Sequence, residues 1–236
     1  MKKPVQFDII TLFPEAIESY CASSILGAAQ IKKIISIRTH GLRLWGIGAH
    51  KKVDERVYGG GAGMVLMPEP IIRAISAITK KRAPSNKRKI IILSAKGKQW
   101  NQKLAYEWSK KYDEFIFVSG RYEGIDERVV KILGAEEISI GPYVLTDGDV
   151  ASMAVISSVA RLIPEVIKSK SLAEESHWNL FLKNKKNALT ATRGLEYPHY
   201  TRPEVFEYKG KKYRVPKVLL SGDHKKIDEW RAKHSA

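Results

Sequence analysis

The chain holds a single cysteine, Cys21, in 236 residues. It cannot form an internal disulfide, and a zinc site built from several thiolates is excluded. Such sparse cysteine fits a reducing compartment. Long apolar runs are also missing: none approaches the roughly 20 residues needed to cross a bilayer. The opening stretch MKKPVQFDIITLFPE joins two lysines to a short apolar run. Asp8 and Pro14 interrupt that run, and no small-residue cleavage site follows. The expectation is the first strand of a cytoplasmic protein with no membrane partner. The six histidines show no H-E-x-x-H spacing. G-x-S-x-G, G-x-G-x-x-G and G-x-x-x-x-G-K-[ST] are absent too. Hydrolase, metalloprotease, dinucleotide-fold and phosphate-loop readings therefore have nothing to rest on, and no protein-held metal is expected. Acidic residues are scarce: 25 Asp and Glu stand against 41 Lys and Arg, a formal net charge of +16.

What is present is ordinary globular material, with 44% hydrophobic and 28% charged residues. That excludes a disordered, collagen-like or coiled-coil chain. The length suits one large domain, or a main domain with a small appendage. A chain of this size buries roughly 70–75% of its unfolded surface and needs no staples. The positive field attracts polyanions at long range. Six of the ten residues from Lys80 to Lys89 are basic, either a solvated loop or a segment that steers nucleic acid.

Periodicity predicts strands at Phe7–Leu12, Ile34–Thr39, Lys89–Ser94, Glu114–Ser119 and Glu137–Ile140. It predicts helices at Glu15–Gln30 (weakened by Ser23-Ser24 and Gly27), Pro68–Lys80, Gln99–Lys111, Ile125–Leu133 and Val150–Ile163. Gly41–Val65 is too glycine-rich and charged for a regular element. Strand alternating with helix argues an α/β domain with a mostly parallel sheet over residues 1–164. Residues 165–197 lose clear periodicity and read as a flexible linker. A small basic module, residues 198–236, ends in a helical pattern over Ser221–His234.

Three glycine-bearing turns follow strand ends: Ser94–Gly97, Ser119–Gly124 and Ser139–Tyr143. In parallel α/β sheets, ligands bind beside the carboxyl ends of strands. The turns suit a compact nucleoside-type ligand, or they are ordinary loop glycines. The cluster Tyr58-Gly59-Gly60-Gly61-Ala62-Gly63 has four glycines in five positions. It lies near Lys51 and Arg56. A basic glycine loop can cradle a phosphate or a flipped base, or serve as a connector.

These residues carry a family resemblance. FDIITLFPE (Phe7–Glu15), VDERVYGGGAGMVLMPEP (Val53–Pro70), SGRYEGIDER (Ser119–Arg128), EISIGPYVL (Glu137–Leu145), RLIP (Arg161–Pro164), PHYTRPE (Pro198–Glu204) and VLLSGDH (Val218–His224) occur in family order along the chain. The sequence resembles the bacterial tRNA (guanine-N1)-methyltransferases of the SPOUT superfamily. The resemblance implies a SPOUT-type α/β fold, a mostly parallel sheet with a deep C-terminal trefoil knot. It adds a small, mainly helical C-terminal tRNA-binding domain, and implies a homodimer. The implied reaction moves a methyl group from S-adenosyl-L-methionine to N1 of guanine-37 in tRNA, next to the anticodon. That modification supports reading-frame maintenance. By motif match, Leu93, Ser94, Gly120, Tyr122, Glu123, Gly124, Ser139, Ile140, Gly141, Tyr143, Leu145 and Gly148 would line the donor site. Lys51, Arg56, Gly59, Gly60, His199, Tyr200 and Arg202 would face RNA, with Lys80–Lys89 adding steering. Mg2+ is associated with the family.

Guanine N1 carries a proton at neutral pH, so a positioned base must remove it, and charge then builds on O6. The family places a linker carboxylate as base and an arginine after the knot helix. Arg161 matches the arginine. Where the family usually reads E-D-S, this chain reads Glu174-Glu175-Ser176, so Glu175 takes the base position, with Glu174 and His177 as alternatives. Asp147 replaces a common glycine, and Ala151 a common proline, near the methionine end of the expected donor site. Two other readings stay open on these residues: a related enzyme that methylates another RNA position, and an inactive RNA-binding protein.

Overall fold

The computed structural model describes residues 3–80, 82, 86–168 and 197–235. Five strands form one sheet: β1 (Val5–Thr11), β2 (Ile35–Gly41), β5 (Arg88–Gln99), β6 (Glu114–Ser119) and β7 (Glu136–Ser139). Their order is β2-β1-β6-β5-β7, and every pairing is parallel. All carboxyl ends therefore emerge on one edge, where loops can converge.

The alternation of side chains along each strand sorts the helices between the two faces. Ile10, Ile92, Ile116 and Val118 point to one face. There they pack with Ile71, Ala74 and Ile75 of α3 (Pro68–Thr79) and Val129 of α5 (Glu127–Leu133). Prolines 68 and 70 fit the first turn of α3, where their missing N–H groups would lack helical partners anyway. Phe7, Phe115 and Phe117 point to the other face, with Phe7 and Phe115 stacked at 5.1 Å. Trp108 of α4 (Gln102–Lys111) joins them, its ring 6.3 Å from Phe115. The side chain of Asn101 accepts from the Leu104 amide at 3.0 Å and so starts α4. Helix α6 (Asp149–Ala160) packs against α4 and against α1 (Glu15–Cys21). It buries Ala151, Ser152, Val155, Ile156 and Val159, so its apolar character extends well around the helix. As expected, the first helical stretch breaks at Ala22-Ser23, and α2 (Ser24–Ile31) follows.

Two expectations need correction, and a third gains an element. Residues 41–65 are not wholly irregular. They hold a 3-10 turn at Leu42–Trp45 and a hairpin, β3 (Asp54–Arg56) against β4 (Met64–Leu66). Long-range pairing, with Asp54 opposite Leu66, creates this ladder, and local periodicity carries no trace of it. Strand β5 does not stop at Ser94. Leu93 and Lys98 both stand opposite Ile138, so residues 94–97 loop out of a strand that then resumes. The C-terminal segment, expected to be mainly helical, opens with a second hairpin, β8 (Val205–Tyr208) with β9 (Lys211–Arg214). Its two-residue turn, Lys209-Gly210, has φ of 49° and 71°, the left-handed pair that matches strand twist. Helices α7 (Lys217–Leu220) and α8 (His224–His234) follow, the latter capped by the Asp223 side chain. By internal contacts the chain divides into two units, Met1–Lys168 and Ser169–Ala236.

Candidate active site

The carboxyl ends of β5, β6 and β7 open onto a cavity of about 510 Å3. Each strand end contributes one segment to it. Bulge 94–97 of β5 brings Leu93, Ser94, Ala95 and Lys96. The turn after β6 brings Gly120 to Ile125. The loop after β7 brings Ser139 to Gly141 and Tyr143 to Gly148. All twelve residues that the sequence pointed to for a small-molecule site line this one cavity.

Tight main-chain contacts hold the three segments together. The Gly148 amide donates to the Gly120 carbonyl at 2.8 Å. A Cβ at Gly148 would lie 2.9 Å from the Gly120 nitrogen and 3.0 Å from the Ser119 Cα, closer than packed atoms stand. Glycine is thus dictated there by approach, since its φ of −84° suits any residue. The Ser139 hydroxyl donates to the Gly141 carbonyl at 2.9 Å, and the Tyr143 hydroxyl to the Ile140 carbonyl at 3.3 Å. The Trp100 indole N–H donates to Ser158 Oγ at 2.9 Å and pins α6 beside the end of β5.

The charged side chains on the lining are Lys96, Arg121, Glu123, Glu137 and Asp147. Three carboxylates thus face two cations, in a chain whose net charge is +16. Lys96 bonds Glu127 at 2.6 Å and lies 3.6 Å from Glu137. The hydrogen bond to Glu127 and the two neighbouring carboxylates hold its ammonium above the ordinary lysine range. Arg121 lies over the Phe13 ring at 4.4 Å. One of its nitrogens, Nη2, reaches both Asp147 Oδ2 and Asp149 Oδ2 at 3.2 Å. A sequence motif contains Arg121 without assigning it a role, and none singles out Asp149. Only the fold sets Arg121 beside Asp147 and Asp149 at the cavity.

The glycine loop closes the β3–β4 hairpin against this site. The Glu123 amide donates to the Met64 carbonyl at 2.9 Å, and the Leu66 amide to the Gly124 carbonyl at 3.0 Å. A Cβ on Gly63 would meet the Glu123 side chain at 2.6 Å. Gly59, Gly60 and Gly61 all have positive φ and extend into solvent, and Tyr58 is 96% exposed. Lys51, Arg56, Gly59 and Gly60 are exposed along this excursion. In the C-terminal unit His199, Tyr200 and Arg202 are exposed, and Tyr200 stands edge-on to Trp230 at 6.2 Å.

One sequence expectation, Arg161, does not converge on the cavity within one chain. Arg161 is half-buried at the C-terminal end of α6, while Gly148 marks the N-terminal end. Twelve helical residues separate them, about 18 Å along the axis. Glu175, like Glu174 and His177, lies outside the described residues. The basic run is largely neutralised where it is described. Arg82 bonds buried Asp8 at 2.8 Å, Arg88 bonds Glu114 at 2.7 Å, Lys89 pairs with Glu136, and Lys87 lies 3.9 Å from Asp113. A paired cation contributes little to a long-range field, so this run steers less than its composition suggested.

The sequence model described as tRNA (Guanine-1)-methyltransferase TrmD matches residues 5–236. A tRNA (guanine-N(1)-)-methyltransferase of Carboxydothermus hydrogenoformans is 47% identical over 231 residues, covering 98% of this chain and 83% of that protein. The protein of the same name from Clostridium novyi is 46% identical over 228 residues, 96% of this chain and 85% of its own length. That of Clostridioides difficile is 44% identical over 231 residues, 98% and 92% of the two chains. A parallel sheet with a glycine-walled cavity at its carboxyl edge defines an α/β protein with a candidate small-molecule site. This chain belongs to the tRNA (guanine-1)-methyltransferase family. Among the described residues no helix is long and apolar enough to cross a membrane.

Proposed function

We propose that the chain transfers a methyl group from S-adenosyl-L-methionine to N1 of guanine-37 in tRNA. The observation that carries this reading is the single cavity lined by all twelve expected donor-site residues, with carboxylates outnumbering cations in a strongly basic chain. Its volume lies in the range of small-molecule sites, and its acidic balance favours a cationic guest such as a sulfonium. Leu93, Ser94, Gly120, Tyr122, Glu123, Gly124, Ser139, Ile140, Gly141, Tyr143, Leu145 and Gly148 are its donor-binding residues. The donor supplies an electrophilic methyl on sulfur.

The chain's own task is to make guanine N1 nucleophilic. Glu175 takes the N1 proton. The Arg161 guanidinium faces O6, where negative charge accumulates as the proton leaves. Mg2+, where it takes part, would sit against the Glu175 carboxylate. Arg161 stands a helix length from the cavity of its own chain, which favours a homodimer in which each cavity is completed by the partner subunit. The rim of the cavity supports this, since Tyr143 is 53% and Val144 87% exposed there. Lys51, Arg56, Gly59 and Gly60, with His199, Tyr200 and Arg202 of the second unit, contact the RNA. The chain from β5 to α6 forms the trefoil knot, residues 1–164 the donor-binding domain, 165–197 the linker and 198–236 the tRNA-binding module.

Incubation with undermodified tRNA and methyl-labelled donor, followed by mapping of the label, tests the proposal. Label at guanine-37 N1 is expected. Label at a ribose hydroxyl or another base would refute it.

A further inference from the structure

The Arg121 cluster carries more charge than a structural ion pair requires. Arg121 with Asp149 alone would be neutral. Asp147 adds a second carboxylate to the same guanidinium nitrogen and leaves the trio at a net charge of −1. The trio is well buried, with side-chain exposures of 25% for Arg121, 12% for Asp147 and 3% for Asp149. Its hydrogen bonding is incomplete: Asp149 Oδ1 and Arg121 Nε are buried without a partner. Leaving a carboxylate oxygen unpaired out of water is unfavourable unless something positive faces the cluster for part of the working cycle.

Asp147 is also held in place rather than dangling. Its Oδ1 accepts from the Asp149 amide at 2.9 Å, and its Oδ2 accepts from the Thr146 hydroxyl at 2.9 Å. Both Thr146 and Asp147 line the cavity, next to Gly148. A fixed carboxylate on the wall of a partly enclosed site acts on a bound charge with little reorganisation.

We propose that Asp147 is a specificity-determining residue that makes the cavity favour the charged methyl donor over the spent, neutral product. The inference rests on the S-adenosylmethionine reading. Before transfer the sulfur is a sulfonium and the ligand carries one more positive charge than afterwards, when sulfur is a neutral thioether. The remaining groups of donor and product are the same. The excess negative charge of the trio therefore acts on the difference between them, easing product release and limiting product inhibition.

The test is calorimetric and needs no turnover. Binding of S-adenosylmethionine, S-adenosylhomocysteine and sinefungin, which keeps a cation in place of the sulfonium, is measured for the wild-type chain and Asp147→Asn. The Asn amide oxygen can still accept from the Asp149 amide, and Asp147→Ser supplies a second neutral variant with an acceptor. Circular dichroism checks that each is folded. The preference for either cationic ligand over the neutral one should fall roughly three- to tenfold in both variants, the scale of one partly screened charge. In the wild type that preference should also shrink as salt rises. Binding of all three ligands with unchanged preference would overturn this proposal and leave the donor site standing. Failure of the wild-type chain to bind any of them would overturn the methyl-donor reading and this inference with it.

Discussion

Replacing Gly148 by alanine tests the construction of the cavity most directly. The added methyl carbon would stand 2.9 Å from the Gly120 nitrogen, 3.0 Å from the Ser119 Cα and 3.1 Å from the Leu93 Cβ. Two of these contacts are main chain at the end of β6, and the third is a Cβ of β5, so no flexible side-chain tip can yield. Reaching ordinary contact requires the loop after β7 to retreat by about half an ångström, with strain of about 1–3 kcal/mol. At about 3 °C per kcal/mol for a chain of this size, the melting temperature should drop by about 3–9 °C. The same retreat weakens the Gly148–Gly120 hydrogen bond, 2.8 Å long, and displaces the wall that Leu145 and Gly148 give the cavity. Donor affinity should fall roughly tenfold or more, since binding groups need to be held within about 0.5 Å of their working positions. Gly134→Ala is the control. Gly134 ends α5 with φ of 55° and open space around its Cβ position. Alanine there pays only for the left-handed backbone, about 1 kcal/mol, and donor affinity should not change. Thermal melts and calorimetry of both variants decide the matter. Gly148→Ala with wild-type stability and donor affinity would refute the idea that close main-chain packing forms the site.

Arg161→Ala and Glu175→Gln should each lower the single-turnover methylation rate by roughly 10²–10⁴ with donor affinity retained; full activity of Glu175→Gln, with loss in Glu174→Gln or His177→Ala, would move the base. Asp8→Asn removes a fully buried carboxylate shared by His40, Arg38 and Arg82, and should lower stability by about 2–4 kcal/mol in urea melts at pH 7. Burial alone would raise the Asp8 carboxyl, but hydrogen bonds from His40 and Arg82 and the charges of Arg38 and Arg82 outweigh it and hold it below the usual range. Its contribution is then complete above about pH 4 and fades as acid approaches the lower folded value, so a gap between wild type and variant that widens on acidification would contradict the assignment. Affinity for tRNA should fall steeply with salt, and Arg202→Ala should reduce it more than Lys87→Ala, whose ammonium already faces Asp113; a flat salt titration would refute the charge argument.

Much of the fold follows from local chemistry. The FIFV core of β6 (residues 115–118), the proline-opened α3 and the apolar α6 are each legible because burial on a parallel sheet demands near-continuous apolar strands and wide apolar helix faces. The candidate cavity is partly legible for a related reason: where one loop presses too closely on another main chain for a Cβ, only glycine fits, as at Gly148. The two hairpins are not legible in that way. Asp54–Arg56 and Met64–Leu66 are strands only because each finds the other across a glycine loop, and β5 resumes after Ser94 only because Ile138 lies alongside.

The sequence by itself determined the alternation of strand and helix, the basic balance, the glycine turns and the family. The tertiary structure alone decided which charges meet. It set Asp147 and Asp149 on one arginine, tied most of the described basic run to carboxylates, and kept Arg161 a helix length from the cavity. Periodicity and glycine placement are imposed residue by residue along the chain. Ion pairing and catalytic assembly depend on distances between segments far apart in sequence, which only the packed fold defines.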